Sequence, residues 1–259
     1  MTIAEQVMEL THRLEQSSPM PLRPQDAELL LGTERFHFGP EESRVAWKIG
    51  RGPLVLLVHG WGGRGTQMAG MAHMLASAGY QCIFFDAGGH GESRPEPVGF
   101  RTFIDDAGSL SSQVHQDVHA WIGHSAGGLG MMAARTLRGL KAQRYVCIAA
   151  PLFPYIPLQS LKKNTSASDE VLDHVKPYLS RQFDSTWERL QAGEAYSPES
   201  DRQLLLIYDK DDERTRHDDA DAIATVWPGA IINKTTGYGH NRVLQAPEAW
   251  QSIREFLAP

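Results

Sequence analysis

Short apolar runs alternate along this chain with stretches in which apolar side chains return every three or four residues. The run Leu54-Val55-Leu56-Leu57-Val58 is apolar throughout, as a strand covered on both faces requires, and it leads into His59-Gly60-Trp61-Gly62-Gly63. Beyond that loop, Met68, Met71, Ala72 and Leu75 mark one face of a helix that stops at Gly79, a residue suited to the left-handed C-terminal position. Further short apolar runs followed by turn residues occur at 82–85, 120–122, 145–148 and 204–207. Residues 230–232 supply a last strand, and Pro247 opens a closing helix whose Trp250, Ile253 and Leu257 face the sheet.

This alternation predicts an α/β fold with a mostly parallel sheet flanked by helices. Residues 35–38 and 44–47 predict an antiparallel entry hairpin, and Ile3, Val7, Leu10 and Leu14 predict an amphipathic helix over about residues 1–16. Between Pro151 and Arg202 the alternation lapses for longer than an ordinary connection runs. The expected organisation is therefore a first core part at 1–150, a small helical cap at 151–202 and a second core part at 203–259. Val171, Leu172, Val175, Tyr178 and Leu179 lie at helical spacing within the cap. Phe153, Tyr155 and Trp187 are candidates to line an apolar substrate pocket, with packing of the cap onto the core as the equal alternative.

Composition narrows the function classes. The 259 residues carry a formal charge of −6 and no dense Lys/Arg run, which argues against nucleic acid as a partner. The longest apolar run is 54–58, far short of a membrane span. Residues 1–16 carry Glu5, Glu9 and Glu15 and no apolar core, unlike a secretory signal, so a cytoplasmic location is expected. Cys82 and Cys147 each sit within a predicted strand and are expected to be free and buried. Oligomeric state has no signature in the sequence.

The candidate chemistry centres on Gly123-His124-Ser125-Ala126-Gly127-Gly128, which follows the strand at 120–122 and precedes a small-residue helix through Met131, Met132 and Ala133. This is the strand, turn and helix context in which a G-x-S-x-G serine is exposed above a sheet. A serine hydroxyl needs a base within hydrogen-bond reach, and the base needs a carboxylate to fix its tautomer. Both are expected after the serine, in loops beyond later strands. Tyr208-Asp209-Lys210-Asp211-Asp212-Glu213 supplies the acid, with Asp212 preferred and Asp211 and Asp209 open as rivals. No carboxylate occurs in Ala149-Ala150-Pro151-Leu152-Phe153, which disfavours an acid one strand earlier. His240, in Gly237-Tyr238-Gly239-His240, is the one histidine beyond the last strand and the candidate base, on a loop made flexible by its glycines. The backbone N–H groups of Trp61 and Ala126 are the candidate oxyanion donors. His59, His90 and His124 sit in tight turns and are read as packing and hydrogen-bonding residues. Asp209 to Asp221 with His217 matches neither a calcium loop nor a zinc motif, so no metal and no other cofactor is expected.

With these motifs in order, together with Asp86-Ala87-Gly88-Gly89-His90-Gly91-Glu92-Ser93, the chain resembles the α/β-hydrolase family, in particular bacterial serine hydrolases with HGWGG and GHSxGG motifs. The resemblance implies an eight-stranded sheet with a cap after strand six, and it carries catalytic roles onto Ser125, Asp212 and His240 and oxyanion roles onto Trp61 and Ala126. Tyr208-Asp209 departs from the His-Gly or His-Asp pair common in relatives, which leaves the register of the acid open. The expected function is hydrolysis of a carboxylic ester with a small or medium, partly apolar acyl group through an acyl-enzyme on Ser125. A thioesterase, carbon–carbon bond hydrolase or acyltransferase would use the same residues, and a small-molecule sensor on the same scaffold is the reading from another class.

Overall fold

In a computed structural model, which describes residues 1–16, 19–199 and 202–258, the strands form one eight-stranded sheet. The strands are β1 (Glu34–Phe38), β2 (Arg44–Gly50), β3 (Leu54–Val58), β4 (Gln81–Asp86), β5 (Val118–His124), β6 (Arg144–Ile148), β7 (Gln203–Asp209) and β8 (Ile231–Thr235). Their spatial order is β1-β2-β4-β3-β5-β6-β7-β8. The entry hairpin is antiparallel, with Glu34 opposite Lys48 and Phe38 opposite Arg44, and β2 runs antiparallel to β4. Every other pairing is parallel.

The helices in chain order are α1 (Ile3–Glu15), α2 (Pro24–Glu28), α3 (Thr66–Ser77), α4 (Phe100–Gln113), α5 (Ser125–Arg138), α6 (Ile156–Asn164), α7 (Asp169–Arg181), α8 (Trp187–Gln191), α9 (Asp219–Val226), α10 (Gly239–Arg242) and α11 (Pro247–Leu257). They cover both faces, which is why β3 has no polar position. Leu54, Leu56 and Val58 join the core beneath α4, α5 and α9, whereas Val55 and Leu57 join a second core beneath α3 and α11. Helix α4 is not among the elements expected from the pattern, although Phe100, Phe103, Ile104, Ala107 and Leu110 do recur at helical spacing and are all buried. Strand β8 contains 231–232 of the expected 230–232, but Ile231 is 54% and Ile232 36% exposed because β8 is the sheet edge.

The region expected to break the alternation holds α6, α7 and α8 between β6 and β7. Ser200 and Asp201 at its end, and Pro259 at the end of the second core part, lie outside the described residues. A Thr2 capping box with Glu5 starts α1, whose Leu10 is buried and whose Ile3, Val7 and Leu14 pack against the larger core. Tyr178 Oη on α7 donates to Glu15 Oε1 at 2.8 Å, and Val98 N–H donates to Glu15 O at 2.9 Å. The amino-terminal helix is thereby tied to both the insertion and the core. Among the described residues no helix is long and apolar enough to cross a membrane, and Cys82 and Cys147 are free and buried. Burial pushes both thiols up to about 12.

One buried ionic cluster joins the antiparallel hairpin to the loop after β4. Arg44 Nε donates to Asp106 Oδ1 at 2.7 Å, Arg44 Nη2 to Glu96 Oε1 at 2.6 Å, and Gly88 N–H to Asp106 Oδ2 at 2.7 Å. Removing Asp106 leaves buried Arg44 with only the half-buried Glu96 opposite it and Gly88 N–H without its acceptor, which costs more than the pair itself contributes. Asp106→Ala is therefore expected to lower the unfolding free energy by about 3–5 kcal/mol in urea titration. Glu41→Ala, which removes an exposed partner of Arg94, should leave it within error.

Candidate active site

The turn from β5 into α5 is built by close backbone approach. Ser125 adopts φ +52°, a left-handed conformation that is strained for any side chain larger than glycine. A Cβ on Gly127 would stand 2.0 Å from His59 O, and one on Gly123 would stand 2.5 Å from Gly128 Cα. Only glycine fits at these two positions, and the tight crossing they permit lifts the Ser125 hydroxyl above the carboxyl edge of the sheet.

His240 Nε2 lies 3.0 Å from Ser125 Oγ, and His240 Nδ1 lies 2.8 Å from Asp212 Oδ2. The Asp212 side chain is 1% exposed and that of His240 is 9% exposed, and Ser125 is buried, so all three groups are shielded from bulk water. Asp212 Oδ1 accepts from Arg214 N–H at 2.7 Å and Thr215 N–H at 2.9 Å, which turns Oδ2 toward the imidazole. Thr215 Oγ1 donates to Ala149 O at 3.0 Å and sits 3.5 Å from His240 Nδ1, pinning this loop to the end of β6. Thr215 has no sequence motif to announce it.

The two rival aspartates go elsewhere. Asp209, fully buried, accepts from Thr235 Oγ1 (2.7 Å), Gly239 N–H (2.9 Å), Asp211 N–H (3.0 Å) and Tyr238 N–H (3.2 Å). Burial opposes its ionisation, yet these four hydrogen bonds outweigh burial and hold the carboxyl below the usual carboxylate range. Asp211 accepts from Gly237 N–H at 2.7 Å. The histidine is consequently not on a loose loop, as its glycines suggest, but on the one-turn helix α10, whose approach is clamped by both acids. Gly237 and Gly239, at φ +93° and +65°, make that turn possible.

Trp61 and Ala126 flank Ser125 in the wall of a cavity of about 400 Å³. Ala126 is the second residue of α5, where an N–H has no intrahelical acceptor. Three buried histidines hold this region. His59 Nε2 accepts from Ala87 N–H at 3.0 Å while Nδ1–H donates to Gly60 O at 2.7 Å. His90 Nε2 accepts from Gly62 N–H at 3.1 Å while Nδ1–H donates to Gly88 O at 2.9 Å. His124 Nε2–H donates to His240 O at 2.9 Å. Burial lowers the pKa of all three, that of His124 to about 3 with help from the neighbouring His240, so they stay neutral and keep these tautomers.

The aromatic residues of the insertion require a correction. Phe153, Tyr155 and Trp187 lie outside the cavity wall. Phe153 packs on Tyr155 and Trp187 with centroids 5.1 and 5.3 Å away, and Tyr155 Oη donates to buried Asp219 at 2.6 Å. These contacts turn the rings into the interior. The insertion instead lends Ile156, Pro157 and Ser160 to the cavity, and the amino-terminal segment lends Met20 and also Leu14, which periodicity marks only as part of a helix face. The acids near His217 face a cation of the chain itself, since Lys234 Nζ lies 2.5 Å from Asp221 and 3.8 Å from Asp218.

A family model described as serine aminopeptidase, S33, matches residues 52–225, which includes Ser125 and Asp212 and stops before His240. The chain belongs to the serine aminopeptidase S33 family. This S33 chain is 27% identical over 146 residues to a non-heme chloroperoxidase of Kitasatospora aureofaciens, a match covering 56% of the chain and 53% of the relative. It is 29% identical over 147 residues to a pimeloyl-[acyl-carrier protein] methyl ester esterase of Xanthomonas axonopodis pv. citri, covering 56% and 54%. The matches span about half the length of these curated relatives. Among solved structures, a thermophilic esterase from Thermogutta terrifontis superposes with a TM-score of 0.62 at 18% identity, over 87% of this chain and 97% of the other, a likeness of α/β-hydrolase fold.

Asp209→Ala should destabilise the S33 chain by about 2–4 kcal/mol, since four donors lose one buried, ionised acceptor. Because the folded carboxyl titrates below its unfolded value, its contribution is fully present above about pH 4 and is lost as pH falls through the folded pKa. The gap in stability between the protein and Asp209→Asn, measured by urea titration, should accordingly narrow below about pH 4. His90→Ala removes the acceptor for Gly62 N–H, and amide hydrogen exchange at Gly62 should accelerate at least about 10-fold, with partial recovery in His90→Gln.

Proposed function

We propose that this chain is a serine hydrolase that cleaves carboxylic esters of small or medium, partly apolar acids through an acyl-enzyme on Ser125. The observation that carries the reading is the continuous relay from Ser125 Oγ through His240 to Asp212, opening at its serine end into the cavity. His240 Nε2 takes the hydroxyl proton as Ser125 Oγ bonds to the carbonyl carbon. The oxyanion that forms is received by the N–H groups of Trp61 and Ala126. Collapse breaks the bond to the alcohol oxygen, which leaves with the proton from His240. Water then repeats the sequence, giving its proton to His240 and its oxygen to the acyl carbon, and the acid departs as Ser125 regains its proton.

Asp212 fixes the imidazole with Nδ1 protonated and stabilises the imidazolium in both halves of the reaction. The helices at 151–202, with α1 against them, serve in this reading as a cap that limits water and substrate entry. An ester is favoured over a peptide with a free amino terminus, because no Asp or Glu lines the cavity among the described residues to meet a substrate ammonium. A methyl ester esterase among the similar proteins supports the same bond type.

A fluorophosphonate probe is expected to form an adduct that peptide mapping places on Ser125, absent from Ser125→Ala and from His240→Ala. Turnover of p-nitrophenyl butyrate should fall at least about 1,000-fold in both variants. Folded protein that takes no label and hydrolyses no ester, yet gains thermal stability with a small ligand equally in Ser125→Ala, would replace the enzyme with a ligand-binding protein on this scaffold.

A further inference from the structure

The wall of the cavity is electrically one-sided. Although the chain carries 31 Asp and Glu residues and a formal charge of −6, no carboxylate and no lysine lines this space among the described residues. The one permanently charged residue among its described lining residues is Arg214. Most arginines of the chain are engaged by carboxylates or carbonyl oxygens, including Arg44, Arg101, Arg135 and Arg216. The side chain of Arg214 has no hydrogen-bond or ion-pair partner among the described residues. Its backbone is nevertheless fixed, because Arg214 N–H donates to Asp212 Oδ1 at 2.7 Å. The backbone of Arg214 is thus anchored two residues from the acid that orients His240, on a wall that also holds Asn241 and the apolar Ile156 and Pro157.

We propose that Arg214 is a specificity-determining residue that selects substrates carrying a carboxylate in addition to the scissile ester. This inference rests on the hydrolase reading above and refines it. A guanidinium beside a cavity, with its five donors free, matches a carboxylate in a two-pronged geometry. The apolar lining contacts the methylene chain between the two ends. Because Arg214 is exposed, the preference is screened by salt.

The test compares mono-p-nitrophenyl glutarate with p-nitrophenyl pentanoate, which share leaving group and carbon count and differ in the terminal charge. The protein is expected to favour the glutarate half ester about 10-fold in kcat/KM, mainly through KM, with the ratio declining between low and high salt. The ratio should collapse to about one in Arg214→Gln and invert in Arg214→Glu. Equal or greater preference for pentanoate, or a ratio unmoved by Arg214→Gln, overturns the assignment and leaves the hydrolase reading standing. A second arm needs no turnover. Ser125→Ala protein should be stabilised against heat more by monomethyl glutarate than by dimethyl glutarate, and Ser125→Ala with Arg214→Gln should lose the difference. If no ester is hydrolysed, the catalytic reading fails while this binding difference alone decides the role of Arg214, its absence counting against it.

Discussion

Holding Ser125 at a positive φ between a buried strand and a buried helix is the constraint on which the site depends. Such a conformation costs on the order of 1–3 kcal/mol and persists only where the surroundings leave no alternative. Strand β5 supplies those surroundings, since it is paired on both sides by β3 and β6 and every residue from Ala120 to His124 is buried. Gly123, Gly127 and Gly128 let β5, α5 and the loop after β3 touch at backbone distance. The same contact that strains the serine sets the Trp61 segment beside it, so the candidate nucleophile and the candidate oxyanion donors share one packing event.

A second constraint acts on the carboxylates beyond β7. Asp209, Asp211 and Asp212 differ little in sequence context, yet each takes a separate task. The residue still within β7 points into the sheet end and gathers the N–H groups of the turn before α10, the next accepts from Gly237, and the third reaches the imidazole. A one-residue change of register would exchange these tasks, because successive side chains leave a strand end in different directions. The clamp formed by the first two acids keeps His240 at hydrogen-bond distance from two groups at once.

Burial of polar groups around the site is compensated in part, since His124 Nδ1 is buried without a hydrogen-bond partner among the described residues. Three histidines stay neutral because each ring nitrogen that bears a proton meets a carbonyl and the charged form is penalised by desolvation. Arg44, Asp106 and Glu96 tie the loop after β4 to the hairpin. The cavity lies where the insertion and the amino-terminal segment meet this rigid edge, and both contribute mostly apolar side chains to it.

Periodicity and motif order alone determined the α/β class, the entry hairpin, the parallel strands from 54–58 onward, the amphipathic helix at the amino terminus and the positions of Ser125 and His240 as candidates. These features are local. An unbroken apolar run, a glycine-flanked serine after a strand and a histidine beyond the last strand each carry their signal within a few residues. Tertiary structure decided which aspartate meets His240, that Phe153, Tyr155 and Trp187 face inward, that Thr215 and His90 brace the site, and that Leu14, Met20 and Arg214 border the cavity. Those outcomes depend on contacts between segments far apart in the chain and on side-chain direction at a loop. Neither is encoded in the spacing of residues along one segment, because the energy that selects them comes from the partner and not from the segment itself.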